Sequence, residues 1–295
     1  MNPALDRRSL LLTGALGLGA YALPGFARAA TVLALGGFTH SVASGEPGPD
    51  TMLLWTRYVP ADGGGARLRV EVSETADFAR VAAGGEAITG PWRDHTAKIT
   101  VEGLAPATNY FYRFVAPDGG FSPVGRTRTL PIGDAAEFKL AIFSCSNMAF
   151  GYFNAYAHAA ARDVDLWVHL GDYFYEYDRH RYFPKGGAVD RRWPEPRGEL
   201  IHLADYRLRY ASYRADPDLQ ALHAAKPMIV QPDDHESAND SWEGGAENHD
   251  AETATGARAR TRRCRRSTNG CRSRRRPGAA TTWARSPRCS APRAG

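Results

Sequence analysis

The sequence predicts a β sandwich followed by an α/β unit, and three observations carry that reading. Between Phe38 and about Thr129, short runs of alternating or strand-like residues are separated by turn residues. From Phe138 onward the runs become continuously apolar, with a helical stretch between the first two. Each of those apolar runs ends on residues with metal-binding or acid–base chemistry. Alternation with period two marks a half-buried strand, whereas apolar runs joined by a helix mark a βαβ unit.

In the first part, Met52-Leu53-Leu54-Trp55-Thr56-Arg57 is a strand-like run. Arg67-Leu68-Arg69-Val70-Glu71-Val72-Ser73 and His95-Thr96-Ala97-Lys98-Ile99-Thr100-Val101 alternate polar and apolar residues. Leu104-Ala105-Pro106-Ala107-Thr108-Asn109-Tyr110-Phe111-Tyr112 follows the corner pattern of fibronectin type III domains. In that corner a buried Tyr at the start of a strand bonds back to the main chain. Residues 36–130 therefore read as an immunoglobulin-like or fibronectin III-like sandwich. By itself such a sandwich is a binding or spacer module and demands no chemistry.

The second part spans residues 137–253. Phe138–Cys145 reads as a buried strand, about Asn154–Arg162 as a helix, and Asp165–Leu170 as a second buried strand. A third, Pro227-Met228-Ile229-Val230-Gln231, runs into Pro232-Asp233-Asp234-His235-Glu236. Three strand ends thus offer Cys145, then Asp172 to Tyr175, then Asp234 to Asn239. Ligands of α/β sheets gather at the carboxyl ends of the strands.

Gly171-Asp172-Tyr173-Phe174-Tyr175 has the shape of a metallophosphatase Gly-Asp-x-x-Asp motif, with Tyr175 in place of the last acid. A carboxylate at the tip of a strand can bridge two cations, and a Gly before it lets the backbone turn tightly. A phenolate three residues on can ligate a hard trivalent ion, and a thiolate at Cys145 can join it. Two such cations can clamp a phosphate ester, activate a water and stabilise the leaving oxygen. Each signal has a plainer reading. Gly-Asp pairs are common at turns, a single buried Cys is usually packing, and Asp-Asp-His-Glu could be a surface loop. His169, inside its strand, reads as core or as a support behind the ligands rather than as a ligand itself. The coincidence of three sites at three strand ends favours a metal centre.

Longer motifs point the same way. Val42-Ala43-Ser44-Gly45-Glu46-Pro47, Phe143-Ser144-Cys145-Ser146, Leu170-Gly171-Asp172-Tyr173-Phe174-Tyr175-Glu176-Tyr177 and Asp233-Asp234-His235-Glu236-Ser237-Ala238-Asn239-Asp240-Ser241-Trp242 resemble the PhoD-like alkaline phosphatases. The resemblance runs from about Phe38 to Thr253. It implies a β sandwich joined to a calcineurin-like phosphoesterase domain, of which residues 137–253 would form half of an α/β/β/α sandwich. It also implies hydrolysis of phosphate monoesters and diesters with Fe³⁺ and Ca²⁺. Carried over by motif, Cys145 and Tyr175 would bind iron, Asp172 would bridge iron and calcium, and Asn239 would bind calcium, with Asp240 a neighbouring rival. His235 would hold the site or act on the substrate oxygen.

The N-terminus reads as an address. Asp6-Arg7-Arg8-Ser9-Leu10-Leu11-Leu12 opens an apolar run, and Ala27-Arg28-Ala29 offers a small-x-small cleavage site. Paired arginines before a modest apolar region fit a twin-arginine signal over residues 1–29, and so export through the Tat machinery to the periplasm or medium. The run is too short for a good membrane span.

Charge and cysteine divide the chain at its other end. The 13 Arg between Thr253 and Gly295 have no Lys, Asp or Glu among them, so Met1–Glu252 holds 24 basic and 32 acidic residues, a net of −8. The overall +5 belongs to the tail, which removes the simple case for a basic nucleic-acid-binding protein. Three of the four Cys (Cys264, Cys271, Cys289) also lie there, leaving Cys145 alone in the rest. Thr268-Asn269-Gly270-Cys271-Arg272-Ser273 can be encoded as ACG AAT GGA TGC CGA TCC. In another frame the same bases spell Glu-Trp-Met-Pro-Ile, similar to a Tyr-x-Glu-Trp-Met-Pro stretch of the family. Residues 254–295 therefore read as a disordered, frameshifted tail. The family's later half supplies more metal ligands and the second sheet, so the resemblance implies little or no activity for this polypeptide. Two other readings are a non-catalytic secreted sandwich module and a nucleic-acid binder acting through the Arg tail.

Overall fold

A computed structural model of the chain describes residues 36–182, 184–242 and 245–247. The expected signal segment and the Arg-rich tail lie outside those residues. Seven strands come first: β1 Gly37–Gly45, β2 Thr51–Val59, β3 Ala66–Ser73, β4 Ala83–Thr89, β5 Thr96–Glu102, β6 Asn109–Val115 and β7 Gly125–Arg128. There follow β8 Leu140–Phe143, α1 Asn154–Ala160, β9 Leu166–His169, α2 Leu203–Arg214, α3 Pro217–Ala225 and β10 Met228–Val230.

The alternation read from β3 is present: Leu68, Val70 and Val72 point inward while Arg67 and Arg69 are exposed. β4-β3-β6-β7 form a four-stranded antiparallel sheet. It faces β5-β2-β1, and Val42, Leu54, Leu68, Val70, Tyr112 and Phe114 fill the space between. The expected corner also forms: the buried Tyr110 hydroxyl accepts the Ala105 N–H at 2.9 Å. In that way the chain entering β6 satisfies a donor that the sheet leaves unpaired.

The sheet does not stop where the sequence changes texture. β10 lies parallel to β1, with Gly45 opposite Met228, and continues into β9 and β8 in one sheet ordered β5-β2-β1-β10-β9-β8. The three helices cover one face of its second half. There Trp167, Phe143, Met228 and Val230 pack with Tyr156, Tyr213, Leu219 and Leu222. The other face carries Leu140, Ile142 and Ile229, which are 48 %, 60 % and 41 % exposed. A row of exposed aliphatic residues on a sheet is a surface built to be covered. No described helix is long and apolar enough to cross a membrane.

Side chains also tie the two halves. His40 on β1 donates from Nε2 to the Ala211 carbonyl of α2 at 3.0 Å. The Arg214 guanidinium lies 4.1 Å over the Trp55 ring, and Arg128 of β7 pairs with Asp165. Burial, with Arg57 and Arg214 nearby, pushes His40 down to about 3. Burial takes His169 down to about 4, and burial with Arg214 holds His223 well below the usual range. Each is therefore neutral in the fold but takes up a proton near pH 6.5 when the chain unfolds. Below that pH the unfolded state binds more protons, so stability falls as pH falls. Asp172, raised by burial, acts in the opposite sense and offsets part of this. The expected result is an unfolding free energy that drops steeply from pH 6.5 to 4, by up to about 1.4 kcal/mol per pH unit for each histidine, and a urea midpoint that falls with it. A midpoint that is flat over that interval contradicts the assignment.

Candidate metal centre at the strand ends

β8, β9 and β10 run parallel, so their carboxyl ends lie side by side and the loops leaving them converge. Pairing continues past the strands. The Cys145 N–H donates to the Gly171 carbonyl at 3.2 Å, and the Ser146 N–H to the Asp172 carbonyl at 2.8 Å. Cys145 and Asp172 both sit in the left-handed region, with φ of +56° and +51°. Non-glycine residues held there cost energy and concentrate at functional sites.

Asp172 is the hub. Its Oδ2 accepts from the Cys145 thiol at 3.5 Å and from the Tyr175 hydroxyl at 3.2 Å. Its Oδ1 is buried and has no hydrogen-bond partner among the described residues. Atoms from Asp172, Asp234 and His235 lie within 4.8 Å of one another, a grouping able to hold a metal ion. Burial raises the Asp172 carboxyl above its usual range, against the pull of His235. Burial raises Tyr175 as well, and the nearby Asp172 and Cys145 add to it. The Tyr175 phenol therefore keeps a proton that a bound cation would displace. An orphaned buried oxygen beside a thiol, a phenol and a second carboxylate is a donor set that a hard cation fits.

His235 stacks against Tyr175 with ring centroids 4.4 Å apart, and its Nδ1 lies 2.8 Å from Glu176 Oε2. Burial disfavours its charged form, but the hydrogen bond and charge of Glu176, backed by Asp172 and Asp234, raise it above the ordinary histidine range. Asn239 is anchored on two carboxylates. Its main-chain N–H donates to Glu176 Oε1 at 2.7 Å, and its side-chain Nδ2 to Glu247 Oε2 at 2.6 Å. Because that carboxylate can only accept, the amide turns its Nδ2 toward Glu247. Asp240, the rival to Asn239, donates its N–H to Asp234 Oδ2 at 2.6 Å. His169 is core: its ring meets Ser146, Tyr156 and the Gly171 N–H, as the strand position implies.

The structure therefore brings Cys145, Asp172 and Tyr175 onto one carboxylate, sets His235 beside them, and connects Asn239 through Glu176. Reading the sequence placed Asp234 and Glu236 within a candidate stretch from Asp234 to Asn239 but gave neither a role, and it did not single out Glu176. Glu236 is almost fully buried, and its carboxylate takes the N–H groups of Asp172, Tyr173 and Asp233, the last at 2.6 Å. It clamps the β9 loop to the β10 loop.

A profile of the PhoD-like phosphatase family matches residues 140–268, beyond Thr253, and one of the PhoD-like phosphatase N-terminal domain matches residues 26–131. Alkaline phosphatase D of Bacillus subtilis (strain 168) is 40 % identical over 211 residues, which are 68 % of this chain and 36 % of that protein. A solved structure of PhoD superposes with a TM-score of 0.73 at 34 % identity, covering 81 % of this chain and 47 % of the other. The chain thus spans less than half the length of these two relatives.

Proposed function

The chain belongs to the PhoD-like phosphatase family, and from that membership we propose that it carries part of the active site of an exported phosphate-ester hydrolase working at a two-cation centre. Cys145 and Tyr175 would hold Fe³⁺, Asp172 would bridge it to Ca²⁺, and Asn239 would hold the calcium, with Asp234 beside them. The observation that carries this is Asp172: one oxygen receives the thiol and the phenol, and the other is buried without a partner among the described residues. Such cations, when bound, supply the charge that polarises a phosphate ester. The chain's own contribution is orientation and proton handling. Glu236 holds the Asp172 backbone in place, and burial around Tyr175 keeps its oxygen away from bulk water. The Glu176 contact keeps His235 protonated to higher pH than a free imidazole, a form that donates to a leaving oxygen.

The same reading makes residues 36–130 an immunoglobulin-like domain, supported by the three-plus-four strand arrangement and the Tyr110 corner. It makes residues 1–29 a twin-arginine signal; the family match through residue 268 speaks against an out-of-frame reading of residues 254–268 and leaves that reading for the rest of the tail. For residues 1–295 taken alone, the same reading expects little or no turnover. The exposed Leu140, Ile142 and Ile229 support that, since the family's second sheet would cover such a face.

Adding Fe³⁺ to the purified chain is the test. A visible phenolate-to-iron band is expected in the wild type and lost in Tyr175→Phe, with negligible release from p-nitrophenyl phosphate in both. A wild type without the band removes Tyr175 as an iron ligand. Strong metal-dependent hydrolysis by residues 1–295 overturns the inactivity.

A further inference from the structure

We propose that Glu176 is the positioning residue of this site, its buried carboxylate setting the tautomer of His235 and fixing the main chain that carries Asn239. Its relevance to catalysis rests on the phosphate-ester reading above; the hydrogen bonding that defines it does not.

Glu176 is 1 % exposed, and its two oxygens are divided between two partners. Oε2 lies 2.8 Å from His235 Nδ1, and Oε1 receives the Asn239 N–H at 2.7 Å. An ionised carboxylate has no proton to give, so each contact requires a donor opposite. In the neutral imidazole the proton must then stand on Nδ1, and Nε2 keeps its lone pair. The carboxylates grouped with His235 are Asp172 and Asp234.

Glu176 is itself held rigidly. Its carbonyl accepts the Leu200 N–H at 3.0 Å. The carbonyls on either side, of Tyr175 and Tyr177, both accept from Arg209 Nη1. Arg209 is 1 % exposed and also donates to the carbonyls of Glu195, Pro196 and Gly198. A guanidinium spread over five main-chain oxygens locks the loop. It also brings positive charge near the Glu176 carboxylate. One side chain thereby ties the Tyr175 loop to both His235 and Asn239.

Glu176→Gln separates this role from simple packing, because it keeps the shape and removes one acceptor. If the amide oxygen stays with the Asn239 N–H, the amide NH₂ faces Nδ1. Nδ1 must then accept, and the proton moves to Nε2. The measurement is long-range ¹H–¹⁵N correlation NMR on the full chain labelled at histidine, at pH 9 and without metal, with His235→Asn to assign the signals. The wild type is expected as the Nδ1–H form and Glu176→Gln as mainly Nε2–H. That is a shift of at least about tenfold in tautomer ratio, as expected when a charge-assisted hydrogen bond is exchanged. A wild type protonated on Nε2, or a variant that keeps the wild-type tautomer, overturns the proposal. Should Glu176→Gln not fold, Glu176→Asp draws the carboxylate back by one methylene. A mixture of tautomers then supports the role, and an unchanged Nδ1–H form overturns it. No cation or ester takes part, so failure of the phosphatase reading would appear in the iron band and not in these spectra.

Discussion

Asp172→Asn is expected to reduce affinity for a trivalent cation by at least about a hundredfold while leaving the metal-free chain as stable or more stable. The two effects have one origin. In the metal-free fold the Asp172 carboxyl has one buried oxygen with no partner, and burial raises its pKa. A buried, poorly partnered carboxylate destabilises a fold, and a neutral amide of the same shape relieves that cost. The cation reverses the balance, because it needs the negative oxygen that the fold disfavours. Isothermal titration with Fe³⁺ or a lanthanide, beside thermal melts in chelator, measures both halves. Undiminished cation affinity would remove Asp172 from the hub. A large loss of metal-free stability would mean that its contacts with Cys145 and Tyr175 serve the fold instead.

How much of this was legible depends on whether the signal is local. β3 could be read because alternate residues face opposite sides of one sheet, and Leu68, Val70 and Val72 are the buried set. β4 could not, because its start, Ala83-Gly84-Gly85-Glu86, lacks the β-branched and aromatic residues by which strands are recognised. The path of Gly84 is set by β3: a Cβ there would lie 2.3 Å from the Val70 carbonyl oxygen. α2 was hidden for a related reason. Its buried residues include Arg209, Ser212 and Arg214, so charge and burial do not separate onto opposite faces. The junction of β1 with β10 joins residues far apart in sequence and leaves no local mark.

The site divides along the same line. Cys145, Asp172 and Tyr175 stand at strand ends, a place that pattern predicts, and their chemistry is unusual enough to notice. Glu176 and Glu236 act by facing main-chain N–H groups and His235, and those partners exist only after the β9 and β10 loops have converged. Before folding they are two acids among 32. His235 and Asn239 are close in sequence, yet the common point that holds them is Glu176, reached from another strand end.

Gly171→Ala is expected to destabilise the fold by about 3 kcal/mol and to weaken cation binding with it. Gly171 has φ of +116°, outside the range open to residues with a Cβ. A Cβ there would stand 2.3 Å from Asp233 Cβ and 2.7 Å from the Asp233 main-chain nitrogen. The backbone nitrogen cannot swing aside as the end of a side chain could, because its N–H is held by Glu236 at 2.6 Å. Relief must come from parting the β9 loop from the β10 loop, which is the separation across which Asp172 meets Asp234 and His235. Stability and cation affinity should therefore fall together, unlike in Asp172→Asn, where they move apart. Gly151→Ala is the control: nothing lies within 4 Å of the added Cβ, and the backbone there is extended. Urea unfolding of both variants with parallel cation titrations decides the matter. Near wild-type stability in Gly171→Ala would show that the two loops can part at little cost, and that the close approach is not what holds the site together.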